Sequence, residues 1–166
     1  DGTIDGVSLF AHPSVGGNIG MRFTGESTRR VIMNQVKVQG FKVGYLWENV
    51  NDVCLWTITN THTTDCEVGF RCIGANALEF RFVQCTSSGG DIGWDWTKGG
   101  SGTWWSQCGA SDTKLVWLLA GGHLNYIEGA VTERSSTVVE IGGDSSDGFA
   151  QPTPFYFDAT DLRDGA

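Results

Sequence analysis

Basic residues are in short supply: 11 lysines and arginines stand against 19 aspartates and glutamates, for a net charge of −8. Nucleic acid and anionic membranes both need a basic footprint, so neither binding to nucleic acid nor insertion in a membrane is expected. Proline is scarcer still at 3 residues, and charged residues make up only 18%. Together with regularly spaced apolar residues, this excludes a disordered or linker-like chain. No apolar run nears the roughly 20 residues that a spanning helix needs; the longest clear one is Leu115–Ala120. The five cysteines, at 54, 66, 72, 85 and 108, are odd in number and show no CxxC spacing. That disfavours both a zinc site and a complete disulfide framework, and no metal or cofactor is expected. Reduced, mostly buried thiols are the expectation, and they suggest folding in a reducing compartment. There is no signal peptide, and Asp1 reads as an internal point of a longer chain.

What is present is a repeat. Asn18-Ile-Gly-Met, Lys42-Val-Gly-Tyr, Glu67-Val-Gly-Phe and Asp91-Ile-Gly-Trp share one form, and their glycines are 24, 25 and 24 residues apart. Two degenerate copies follow, Lys114-Leu-Val-Trp and Thr137-Val-Val-Glu, each 23 residues on. A second ladder takes apolar residues in alternation: Val31-Met33, Val53-Leu55, Leu78-Phe80, Thr103-Trp105 and Leu124-Tyr126. A further pair follows in each unit: Val36-Val38, Ile58-Asn60, Val83-Cys85, Cys108-Ala110 and Gly129-Val131. The period inside each unit is 2, which means strands. Short turns rich in Gly, Asn, Ser and Asp, such as Gly99–Gly102 and Gly121-Gly122, separate them.

A unit of 23 to 25 residues with three strands and three bends is one coil of a parallel β-helix. A single coil cannot bury its apolar face, but stacked coils enclose a continuous core. The expected fold is therefore an all-β, right-handed parallel β-helix of five to six coils in one domain, with clear repeats over 15–143. An antiparallel β-sandwich also has short, evenly spaced strands, but it rarely keeps residue-by-residue register over five units. Stacking predicts an interior column of Met21, Tyr45, Phe70, Trp94 and Trp117, accompanied by Ile19, Val43, Val68, Ile92 and Leu115. The glycine column either relieves a bend or admits a close neighbour. Trp96 continues the alternation near a turn and is expected to be partly exposed.

The Ile/Val-Gly-aromatic repeats, the Val-x-Leu-x-x-Ile-x-Asn pattern at Val53–Asn60 and the Gly/Asn turns resemble the pectate-lyase-like superfamily of right-handed β-helices. In texture the chain is most similar to bacteriophage tailspikes, tail fibres and polysaccharide depolymerases. The resemblance implies a homotrimer, attached to further virion or same-chain segments, that binds and in some members cuts a bacterial surface glycan. Its implied place is the virion tail, after folding in the host cytoplasm. Neither a calcium-dependent pectate-lyase signature nor the paired aspartates of polygalacturonases is found. A non-catalytic adhesive spike and a secreted polysaccharide lyase or epimerase are the competing readings. Unpaired strand edges at the ends of a β-helix invite association unless covered. The flanks Asp1–Ser14 and Ser145–Ala166 lack the register, although Phe155-Tyr-Phe157 could begin another coil.

The candidate residues for chemistry follow from register. The outward position after each glycine carries Arg22, Leu46, Arg71, Asp95 and Leu118, so Arg71 and Asp95 should be neighbours. They read either as a surface ion pair or as a clamp for an acidic sugar beside a catalytic carboxylate. The position before each strand holds Asn18, Lys42, Glu67, Asp91, Lys114 and Thr137, which stacks Glu67 on Asp91. Carboxylates about 5–5.5 Å apart suit a retaining glycosidase, whereas Lys42 and Lys114 would make the same strip a charge ladder. Glu67, Asp91 and Asp95 are the candidate catalytic acids. The loop Thr61–Glu67 carries His62, Asp65 and Cys66, an acid–base group or a solvated loop; His12 and His123 show no partner. Trp56 and Trp104, and with them Phe82, fall on outward or corner positions that could stack a sugar or a neighbouring subunit. The substrate-binding set is Arg71, Trp56, Trp104 and His62.

Overall fold

The computed structural model describes residues 2–11, 17–26, 29–51, 53–73, 77–97, 102–119, 125–142, 155–158 and 161–163. Among these residues there is no helix, and every strand pairing is parallel. The first sheet runs, in spatial order, Gly2–Asp5, Arg29–Asn34, Val53–Thr59, Ala77–Val83, Trp104–Ser106, Asn125–Glu128 and Phe155–Phe157. Each strand is one repeat further along the sequence, the signature of a coil that advances by one rung per turn. The second sheet stacks Ser8–Phe10, Lys37–Gln39, His62–Thr64, Thr86–Trp96, Gly109–Leu119, Val131–Glu133 and Asp161–Arg163. The strands Gly17–Glu26, Phe41–Asn51, Val68–Ile73 and Thr137–Ile141 join it as a third face. The fold is a parallel β-solenoid of about 4 turns, fewer than the five to six expected.

Corners repeat with the rungs. Gln35, Asn60, Gln84 and Gln107 adopt positive φ near one corner (53, 49, 53 and 52°), in line with Gly6 and Gly129. Each gives its backbone N–H to the rung above, as Gln35 does to Thr59 O at 3.1 Å and Asn60 to Val83 O at 3.0 Å. Asp65, Asp112 and Arg134 take positive φ at a second corner, and Arg30, Leu55 and Glu79 at a third. One left-handed residue per bend turns the chain without interrupting the ladder.

The glycine-strand register is as expected: Met21 pairs with Tyr45, Tyr45 with Phe70, Phe70 with Trp94 and Trp94 with Trp117. The glycines sit where two faces meet, and a Cβ on Gly20, Gly44 or Gly69 would lie 2.7, 2.6 or 2.8 Å from the carbonyl oxygen of the next glycine in the column. Close backbone approach between rungs is the reason for the column. The last copy is corrected by one residue, since Thr137 pairs with Leu115 rather than Lys114.

The other two ladders also need correction. Val31 and Met33 lie level with Trp56 and Ile58, not with Val53 and Leu55. Leu55 takes a corner conformation (φ 62°), so the inward alternation restarts after it. Val36 and Val38 stand level with Thr61 and Thr63, and then with Cys85 and Ser87, because Asn60 and Gln84 are spent on the bend. The last pair is Ala130-Thr132 rather than Gly129-Val131. Both flanks extend the stack: Gly2–Asp5 pairs with Arg29–Asn34, and Phe155–Phe157 with Asn125–Glu128.

Aromatic rings fill the interior. Tyr45, Phe70, Trp94 and Trp117 form one stack, with centroids 4.9, 5.2 and 5.2 Å apart and planes within 13°. Trp47 and Trp96 meet Phe80 and Phe82 edge-on from the opposite wall. Trp96 is wholly buried rather than partly exposed, and its indole N–H donates to Thr103 Oγ1 at 3.1 Å. Cys66, Cys72, Cys85 and Cys108 are buried and not joined in disulfides. Burial holds the Cys66 and Cys108 thiols above their ordinary pKa, which keeps them protonated and unreactive. The side chain of Cys54 lies outside the described residues.

Candidate functional site

The acids form two separate arrangements. Glu67 and Asp91 are exposed on consecutive rungs, joined through the backbone by Asp91 N–H donating to Glu67 O at 2.9 Å. Lys114 Nζ lies 2.6 Å from Asp91 Oδ1, and that carboxylate raises the lysine pKa. The Lys114–Asp91 pair is one contact of the charge ladder that the strip allowed as one of its two readings.

Asp95 pairs in register with Arg71, as expected, and Arg71 Nε is 2.9 Å from Asp95 Oδ2. Its exposure is a correction: the alternation puts Asp95 outward, yet it is only 3% exposed. The other carboxylate oxygen accepts from Thr97 N–H at 3.2 Å and Thr97 Oγ1 at 2.8 Å. Both oxygens are engaged, so Asp95 acts as a bracket between the Arg71 rung and the turn at Thr97. Asp95→Ala should cost roughly 1–3 kcal/mol by stranding Arg71, whereas Asp91→Asn should not measurably move the denaturation midpoint. Urea unfolding of the two variants checks this, and equal midpoints would remove the structural role of Asp95.

The expected loop Thr61–Glu67 is in part a strand, His62–Thr64; His62 Nδ1 lies 2.7 Å from Thr86 Oγ1, and burial with the neighbouring Lys37 lowers the imidazole pKa. Asp65 occupies a corner and accepts from Gln39 Nε2 at 3.2 Å, while Cys66 is buried. The three do not converge on one point, and no three His, Cys, Asp or Glu side chains among the described residues group as a metal ion requires. His12 and His123 lie outside the described residues.

The aromatic candidates divide. Trp56 and Phe82 are corrections: both are buried, at 1% and 0% exposure, with Trp56 against Phe80 and Phe82 against Trp105. The left-handed Leu55 puts Trp56 on the inward phase of its strand, so no ring face is left for a ligand. Trp104 does face out, at 39% exposure. It is not alone: register places Arg81, Trp104, Tyr126 and Tyr156 in one outward column on the first sheet. Trp104 and Tyr126 stack at 4.4 Å with planes 15° apart, and Tyr156 follows at 6.0 Å, tilted by 47°. Tyr126 had been placed inward, in the slipped ladder.

Beside this column, two residues along each strand, runs Val83, Ser106 and Glu128, with Asp158 one residue after the strand Phe155–Phe157. Two residues of strand span about 6.6 Å, so carboxylates stand within reach of the aromatic row. Behind it, Phe82, Trp105 and Ile127 face the core and fix the strands that carry the row. The signal for this site was the run of outward–inward pairs Trp104-Trp105 and Tyr126-Ile127, visible only in correct register.

No protein-family model matches the chain, and neither does any curated protein or solved structure.

Proposed function

We propose that this solenoid is a glycan-binding module of a phage-type tail spike or fibre, which holds a bacterial surface polysaccharide on the outer face of its first sheet. The observation that carries the reading is the outward Arg81–Trp104–Tyr126–Tyr156 column, with Tyr126 half-buried between exposed neighbours, flanked by Glu128. Aromatic carbon surface next to hydroxyl-accepting carboxylates is the pairing that a sugar ring, apolar on its faces and polar on its rim, can use. A stack of rungs repeats that pairing along the coil, which suits a polymer of repeating units. Binding without cleavage is favoured over depolymerisation because Asp95 is enclosed by Arg71 and Thr97, and Asp91 is matched by Lys114. The proposal includes a homotrimer, in which other exposed apolar residues such as Phe10, Ile32 and Val131 would be covered.

The test is titration of the chain against bacterial capsule and lipopolysaccharide fractions, with oligosaccharide release followed in parallel. Trp104→Ala and Tyr126→Ala are expected to weaken binding about tenfold each, equivalent to about 1.4 kcal/mol, without loss of the folded circular dichroism spectrum. Release that disappears in Glu67→Gln or Asp91→Asn would replace the binding module with an enzyme.

A further inference from the structure

We infer that the glycan carried by this face is uncharged, an inference that rests on the glycan-binding reading and narrows it to a substrate class. A polyanionic sugar chain needs unpaired cations along its path. Four of the described cations are paired with carboxylates away from this face. Arg71 faces Asp95 at 2.9 Å, Lys114 faces Asp91 at 2.6 Å, and Arg134 sits between Asp112 and Glu133 at 2.6 Å each. Arg22 is paired with Glu48. Arg71, read from the sequence either as a surface ion pair or as a clamp for an acidic sugar, lies on another sheet from the aromatic column and faces Asp95.

Around the aromatic column the balance is acidic. Arg81 is its cation, and the exposed Glu79 and Glu128 lie beside it. The whole chain adds a net charge of −8, so an acidic polymer approaches against both the local and the long-range field. Carboxylates accept hydrogen bonds and donate none at neutral pH, so they match sugar hydroxyls and repel uronates, sulfates and sialic acids. Ring geometry adds a second selection. Trp104 and Tyr126 lie face to face and offer mainly ring edges, while the tilted, 55% exposed Tyr156 offers the larger free area. Contact with a sugar face is therefore centred on Tyr156, and the hydroxyl contacts on Glu128.

The experiment uses bacterial capsular polysaccharides containing uronic acids, each as the native acidic polymer and after reduction of its carboxyl groups to alcohols. Uncharged capsular polymers complete the panel. The expected result is that binders are confined to uncharged forms, with acidic parents at least tenfold weaker. Affinity should change less than about threefold between roughly 0.05 and 0.5 M salt, and Tyr156→Ala should lower it at least tenfold while remaining folded. Glu128→Lys should raise the affinity for the acidic forms. Acidic parents that bind as well as the reduced polymers, with steep salt dependence and loss in Arg81→Ala, would overturn the inference and leave the glycan-binding reading standing. Binding that survives Tyr156→Ala, Trp104→Ala and Tyr126→Ala together, or no binding to any polymer, would remove that reading itself.

Discussion

Gly90→Ala is expected to be the most damaging conservative change in the chain, costing roughly 2–6 kcal/mol. Two independent terms contribute. Gly90 has φ of +123°, a conformation that L-residues rarely adopt, and such strain costs about 1–3 kcal/mol. A Cβ there would also overlap the carbonyl oxygen of Cys66, one rung away, and forced overpacking costs about 1–3 kcal/mol more. The oxygen belongs to the backbone, held at a corner where Asp91 and Ile92 both donate to Glu67 O, so it cannot turn aside as a side chain would. Two companion variants separate the terms. Gly102→Ala meets nothing closer than 3.7 Å but has φ of +73°, so it carries strain alone. Gly109→Ala overlaps the Val131 carbonyl without a positive φ, so it carries the clash alone. Urea midpoints should fall furthest for Gly90→Ala. A Gly90→Ala loss no larger than that of Gly102→Ala would show that the corner is not packed as described.

The contrast between the glycine strand and the other two explains what could be read from residues alone. The glycine strand carries an unmistakable mark, a residue whose missing side chain admits the next rung's carbonyl, followed at once by an aromatic in the stack. Sequence position and spatial register coincide there. Elsewhere the bends are made by Leu55, Asn60, Gln84 and Gln107 in left-handed conformations. Asn60 is the one of these with a turn signal of its own; glutamine carries none, and Leu55 reads as a core position. Each bend consumes a residue outside the alternation, so the phase slipped and Trp56 and Tyr126 changed sides.

The candidate site was legible to the same extent. Arg71 beside Asp95 followed from the glycine register and holds. The enclosure of Asp95 did not follow, because it depends on Thr97 closing back over the carboxylate. Trp104 was found singly; the row it heads needed the register of the first sheet, where the slip occurred.

Trp94→Ala should lower stability by about 3–5 kcal/mol, the range for a buried aromatic cut to a methyl. Its position makes the upper part of that range the expectation. Trp94 stacks on Phe70 on one side and Trp117 on the other, both at 5.2 Å. In a solenoid, stability is a sum of rungs and of interfaces between rungs, and this substitution weakens two interfaces at the centre of the stack. Trp94→Phe provides the discriminating comparison. The Trp94 indole N–H is buried without a hydrogen-bond partner, and an unmet donor costs about 1–3 kcal/mol. Phenylalanine removes that donor, keeps a stacking ring and repeats what position 70 already carries in the same column. Its loss of ring volume is thus partly offset, and the net cost should stay below about 2 kcal/mol. Denaturation followed by far-ultraviolet circular dichroism gives both values. Equal losses for alanine and phenylalanine would mean that indole shape, rather than aromatic stacking through successive rungs, holds the centre of the coil together.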